Sequence, residues 1–92
     1  MTWMEQIVVR TPQRPEAEVW RRLADLTSGL DEVFGLVAVS VFRNATVHGD
    51  YALLLVWNEP LLATGSSLGL RITATLARIG LVDHTVWAEQ GE

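Results

Sequence analysis

The chain has 92 residues, the length of a single domain, which we expect to span residues 1–92; 7 Lys and Arg against 11 Asp and Glu give a net charge of −4. The absence of cysteine excludes disulfides, thiolate nucleophiles and thiolate metal sites. Scattered arginines on an acidic chain disfavour nucleic-acid binding, the apolar runs are too short to cross a membrane, and no signal peptide is evident, so we expect a cytoplasmic protein. Hydrophobic residues make up 49% of the chain, and so much apolar surface must be buried away from water.

The first two predicted elements are a strand and a helix. β-branched residues between Trp3 and Arg10 favour a strand, and the prolines that follow end it. Pro15 suits the first position of a helix, and Gly29 suits a left-handed helix end. The helix has one apolar stripe with helical spacing, formed by Val19, Leu23, Leu26 and Leu30.

Two apolar strands follow, joined by a hairpin loop at residues 44–50. In Leu36 to Arg43, three valines (Val37, Val39 and Val41) alternate with other largely apolar residues, which predicts a strand covered on both faces. Residues 51–57 have no polar face either, as is typical of a central strand.

The last two predicted elements are a helix and a strand. Ser66 and Ser67 are good helix caps, and the apolar spacing continues the helix to Gly80. Residues 82–89 then alternate as a strand. The order β-α-β-β-α-β is that of the ferredoxin-like α+β fold, a four-stranded antiparallel sheet with two helices on one face. An open sheet face built from apolar strands predicts a homodimer that pairs through it.

A few residues are candidates for chemistry. His84 lies among valines on the last strand, either as a buried core histidine or as a functional group, whereas His48 fits a solvated loop. Two distant histidines do not predict a metal site. The segment Thr64 to Gly69 resembles an anion cradle at a helix start, but capping and close helix packing explain it adequately and are the favoured interpretation. Trp57 ends the most apolar strand, and either lines a cavity or packs in the core.

The segments Glu16 to Leu26, Gly35 to Phe42 and Tyr51 to Trp57 resemble the antibiotic biosynthesis monooxygenases, also called dimeric α/β-barrel proteins. Members have an acidic helix, a glycine before the second strand and a tryptophan at the end of the third. The resemblance implies homodimers with a ligand cavity in each subunit. Some members oxidise polycyclic aromatic or quinol substrates with oxygen and no metal or flavin, and others degrade haem. Gly65 to Leu68 lacks the histidine of the haem-degrading branch, which disfavours that activity.

Two hypotheses follow from the resemblance. The first is a cofactor-independent monooxygenase with a small aromatic or quinol-like substrate, in which Trp57, Asn58 and His84 are catalytic and Ser40 and Arg43 bind substrate. The alternative is a non-catalytic ligand-binding or sensory dimer of the same fold. If the polar side chains of these residues converge on a common space, catalysis is favoured. If they lie apart, the catalytic hypothesis loses its support.

Overall fold

The computed structural model describes residues 2–90, which form one antiparallel sheet with two helices. The elements are β1 (Trp3–Arg10), α1 (Glu16–Thr27), a 3-10 turn (Leu30–Glu32), β2 (Leu36–Arg43), β3 (Asp50–Trp57), α2 (Ser67–Leu76) and β4 (Leu81–Ala88). The strand order is β2-β3-β1-β4, and β3 and β1 are central. The sequence prediction of a ferredoxin-like β-α-β-β-α-β fold is confirmed.

The helices begin near their predicted starts, and α2 is shorter than predicted. Pro15 is the residue before α1 rather than its first residue, and Gly29 adopts the predicted left-handed conformation with φ 75°. α2 ends at Leu76 and not at Gly80, because the chain tightens there into a turn that leads to β4. Gly80 lies so close to the carbonyl of Arg10 that a Cβ would overlap it. Neither helix is long and apolar enough to span a membrane, and these are the α-helices of residues 2–90.

The core lies between the helices and one face of the sheet. Alternate residues of β1 and β3 are almost completely buried there, and the apolar stripes of α1 and α2 pack on them. One core layer therefore buries both the alternate apolar residues of the strands and the apolar stripes of α1 and α2. Its buried members include Ile7, Val9, Val19, Leu23, Leu53, Leu55, Ile72 and Leu76.

Within a single chain, β2 is covered on its helix side only, so cover of its other face stays a prediction. β2 is an edge strand, and Val37 and Phe42 are 62% and 52% exposed. A register shift between Leu36 and Ala38 places Val37 in a bulge, so it does not share the inward face of Val39 and Val41. The sheet face opposite the helices has more apolar than polar residues. The apolar ones include Met4, Val8, Phe42, Ala52, Leu54, Val56 and Trp87, and the polar ones are Gln6, Arg10, Ser40, Asp50, Asp83 and Thr85.

Candidate functional site

A carboxylate lies inside the apolar core. Glu5 is 0% exposed, and it occupies an inward position of β1 between Trp3 and Ile7. An ionised carboxylate that leaves water without partners costs several kcal/mol or more. Such a group is retained where donors converge on it, and Glu5 has three donors and a fourth polar neighbour, Nε2 of His84.

The four neighbours divide evenly between the two carboxylate oxygens. Oε2 accepts from the indole Nε1 of Trp57 at 2.8 Å and from the hydroxyl of Ser66 at 2.5 Å. Oε1 accepts from the backbone N–H of Ser66 at 3.0 Å and lies 2.8 Å from Nε2 of His84. We call Glu5, Trp57, Ser66 and His84 the Glu5 network. No buried side-chain nitrogen or oxygen within residues 2–90 lacks a hydrogen-bond partner.

The start of α2 supplies two of the three fixed donors. Ser66 caps the helix by accepting from the N–H of Gly69 at 2.9 Å, and its own hydroxyl proton is directed to Glu5. The positive end of the helix dipole also favours a negative group there. The segment Thr64 to Gly69, which resembles an anion cradle, thus holds the chain's own carboxylate.

Two glycines make room for this arrangement. A Cβ at Gly69 would overlap the Glu5 carboxylate, and a Cβ at Gly65, where φ is 96°, would overlap the His84 ring. The left-handed φ of Gly65 is itself costly for other residues. Both positions therefore require glycine for the helix start to approach the Glu5 network.

Trp57 packs in the core and does not line an opening. Its side chain is 2% exposed and stacks on Trp3 with ring centroids 5.7 Å apart and planes 19° apart. The Trp3 indole donates to the carbonyl of Glu59 at 3.0 Å, so the two rings point their N–H groups at different acceptors. The stacked pair closes one side of the Glu5 network.

His84 is the member of the Glu5 network nearest to the surface. Its side chain is 13% exposed, against 0% for Glu5. Nδ1 makes no hydrogen bond within residues 2–90 and is not buried. An imidazole with one nitrogen on a carboxylate and the other free is the arrangement of a general base with its orienting acid.

The structure separates most of the predicted site residues. Trp57 and His84 join through Glu5, but Asn58 is exposed after β3, where its N–H donates to the carbonyl of Gly35 at 2.8 Å. Ser40 pairs with Leu54 on the opposite face of the sheet.

Arg43 lies at the far end of β2 from Asn58, and its guanidinium forms an ion pair with Glu16 at 3.1 Å. Hydrogen bonds from the indole of Trp20 and then from Arg43 lower the pKa of Glu16 below its ordinary value. The predicted polar residues do not converge on a common space, and the criterion for catalysis by that set is not met.

Sequence reasoning missed Glu5 and the role of Ser66. The signal was present, because Glu5 stands in the inward register of β1, where each other residue is apolar. An acid on the apolar face of a central strand indicates a partner opposite it. The partners lie on β3, at the residue before α2 and on β4. Their distances from Glu5 in the folded protein cannot be read from the sequence.

Surface depressions lie away from the Glu5 network. One of about 200 Å³ is on the open sheet face beside Met4, Val56 and Trp87, and another of about 250 Å³ lies at the other end, beside Val8 and Phe42. Within residues 2–90, no three His, Asp or Glu side chains come together as a metal site requires. A ligand that reaches the Glu5 network must do so at the exposed edge of His84.

The fold is similar to that of several solved structures. A point mutant of SnoaB, described as a cofactor-independent oxygenase from Streptomyces nogalater, has a TM-score of 0.70 at 15% identity, over 99% of this chain and 95% of that one. Rv0793 from Mycobacterium tuberculosis has a TM-score of 0.70 at 19% identity, with 100% and 98% covered. A protein from Caulobacter crescentus, described as a candidate antibiotic biosynthesis monooxygenase, has 0.71 at 13%, with 98% and 91% covered.

No protein-family model and no curated protein matches the sequence. The structural likeness nevertheless extends over nearly the whole chain in each comparison. The chain has the fold of the antibiotic biosynthesis monooxygenases, as its sequence predicts. The likeness is one of fold.

Proposed function

We propose that this protein is a cofactor-independent oxygenase of a small aromatic or quinol-like substrate. His84 accepts a proton from the substrate, and Glu5 orients the imidazole. The fold shared with a cofactor-independent oxygenase supports the reaction class. One observation carries the assignment of residues, namely the buried Glu5 carboxylate 2.8 Å from Nε2 of His84.

Burial of the Glu5 carboxylate beside His84 lowers the stability of the fold relative to an apolar pair. A 92-residue domain is stable by about 5–14 kcal/mol, and a buried carboxylate offers less to that sum than an apolar side chain of similar volume. A marginally stable domain with a buried glutamate in a central strand departs from the usual apolar core. Such departures are characteristic of functional sites.

The reaction is a base-initiated oxidation in which the substrate supplies the electrons. An anthrone or quinol gives a proton to Nδ1 of His84, and the resulting anion transfers one electron to O2. The two radicals combine to form a carbon–oxygen bond, and the resulting peroxide anion takes the proton back from Nδ1 of His84 to become a hydroperoxide. In an anthrone, loss of water from this hydroperoxide leaves a carbonyl. One oxygen atom enters the product and the other leaves as water, while CH₂ becomes C=O. A positioned base contributes about 10²- to 10⁴-fold to such a step.

The proposal includes a homodimer formed through the open sheet face. That face has more apolar than polar residues, and Phe42 and Trp87 on it are each 52% exposed. Two sheets that pack face to face bury both surfaces and remove the apolar excess of the composition. Pairing leaves the exposed edge of His84 free, because His84 lies on the helix side of β4.

Oxygen uptake tests the reaction. The purified protein is screened with anthrones, quinols and flavonoid-like phenols against the rate in buffer, and a hit is repeated with His84→Gln and His48→Gln. His48 is the other histidine and is exposed in the loop between β2 and β3, so it is a matched control. We expect His84→Gln to lose at least about 10²-fold in kcat and His48→Gln to keep the wild-type rate. Equal rates in both variants would refute His84 as the base.

The second candidate is a ligand-binding or sensory dimer without chemistry. The closed state of the Glu5 network favours it, since Glu5 is completely buried and its oxygens already have four partners. In that case a panel compound raises the melting temperature without oxygen uptake. The same screen, read by thermal shift and by an oxygen electrode, separates the two functions.

A further inference from the structure

We infer that Ser66 is a positioning residue that holds His84 in the tautomer with its proton on Nε2 and so leaves Nδ1 as the base. The inference rests on the proposed function for its meaning in catalysis. Its evidence is the hydrogen bonding around Glu5, and its test does not need a reaction.

Three of the four neighbours of Glu5 donate only. The indole of Trp57 and the backbone N–H of Ser66 have no acceptor capacity at the nitrogen concerned. The hydroxyl of Ser66 already accepts from the N–H of Gly69, and its proton therefore points to Glu5. Three such donors favour the acceptor-only, ionised carboxylate.

The fourth neighbour must adapt to the other three. Nε2 of His84 either carries a proton or offers a lone pair, and Oε1 of an ionised Glu5 at 2.8 Å satisfies only a protonated Nε2. A neutral imidazole has one ring proton, so Nδ1 keeps its lone pair. The tautomer of His84 thus follows from the donors that hold Glu5.

Ser66 makes two of these three donations and also orders the segment that makes them. Its capping bond to Gly69 begins α2, which directs the backbone N–H of Ser66 at Oε1. Loss of the hydroxyl removes one donor and weakens the position of another. Glu5 then takes one proton from water, and its O–H donates a hydrogen bond to Nε2 of His84. The ring proton exchanges through solvent from Nε2 to Nδ1, so the pair gains one proton in all.

The test is the tautomer of His84, read from long-range ¹H–¹⁵N spectra that distinguish protonated from unprotonated ring nitrogens. Wild type, Ser66→Ala, Ser66→Thr and Ser67→Ala are compared at a pH where the imidazole is neutral. Ser67 is the exposed first residue of α2 and is the matched control, and threonine keeps both the hydroxyl donor and the cap.

We expect the Nε2–H form to dominate in wild type, in Ser67→Ala and in Ser66→Thr. In Ser66→Ala the ratio of Nε2–H to Nδ1–H falls by about tenfold or more, the effect of one lost hydrogen bond to a charged group. An Nδ1–H form in wild type, or an unchanged ratio in Ser66→Ala, overturns the inference.

Two further measurements keep the test decisive. Should Ser66→Ala fail to fold, Gly69→Ala keeps the serine but forces a Cβ onto the Glu5 carboxylate, and the same loss of the Nε2–H form is expected. With an active substrate, Ser66→Ala lowers kcat with little change in KM, because the base and not the binding is disturbed. A wild-type protein with the Nε2–H form but no oxygen uptake refutes the proposed function and leaves this inference standing.

Discussion

Replacement of Glu5 by glutamine is the most informative single change to the core. Glutamine has nearly the same shape as glutamate, but it offers one acceptor oxygen and one NH₂ donor where Glu5 offers two acceptors. If the NH₂ replaces Oε1, it faces the fixed backbone N–H of Ser66; if it replaces Oε2, it faces the fixed indole N–H of Trp57. In either orientation one buried donor has no acceptor.

The magnitude follows from those contacts. One buried, unsatisfied donor costs about 1–3 kcal/mol, and the remaining bonds lose the strength that the charge of the carboxylate gives them. We expect Glu5→Gln to lower the free energy of unfolding by about 3 kcal/mol. For a domain of this size, that corresponds to a fall of roughly 12–24 °C in melting temperature.

Urea denaturation followed by tryptophan fluorescence measures this loss. Trp57 belongs to the Glu5 network and Trp3 stacks on it, so both indoles report on the core. Glu32→Gln, at an exposed acid in the 3-10 turn, is the control and is expected to change stability by less than about 0.5 kcal/mol. A loss below about 1 kcal/mol in Glu5→Gln would show that the four donors are not directed at an ionised carboxylate, and the reasoning would fail.

Two other predictions concern the surface. In sedimentation, the wild-type protein should have twice the mass of one chain. Leu54→Lys on the open sheet face should give a folded monomer, whereas Ala24→Lys on α1 should stay dimeric. A monomeric wild type at micromolar concentration would contradict the dimer. Hydrogen bonds from Trp20 and Arg43 lower the pKa of Glu16 in the folded protein. The contribution of ionised Glu16 to the free energy of unfolding is therefore complete at pH values above its ordinary pKa of 4.5, and it is lost as the pH falls through the pKa of the folded state. Glu16→Gln should therefore be less stable than wild type at neutral pH and equal to it in strong acid, by urea titration; a difference that persists in acid would disprove the linkage.

The fold was predictable because each element carries its own local signal. Ser66 caps α2, Gly29 adopts a left-handed φ, and β3 is central, as the sequence indicates. Errors arose where the tertiary structure decides. The bulge at Val37 depends on pairing with β3, and the end of α2 depends on how closely Gly80 approaches β1.

The candidate site was predictable only in part. Trp57 and His84 stood out as unusual residues in apolar strands, and both belong to the Glu5 network. Asn58 and Ser40 were chosen by type and neighbourhood, and the structure places them apart. Trp57 and His84 are linked by Glu5, whose partners are 52 to 79 residues away in the chain. No local pattern encodes a contact of that separation.

Isotope labelling of the product tests the central claim most directly. The reaction of the wild-type protein with an anthrone under ¹⁸O₂ is expected to give a quinone with one labelled oxygen atom, one O2 consumed per substrate, and a rate that depends on His84 but not on His48. Absence of label from O2, or the same rate with His84→Gln as with wild type, would contradict an oxygenase in which the Glu5-oriented His84 is the base.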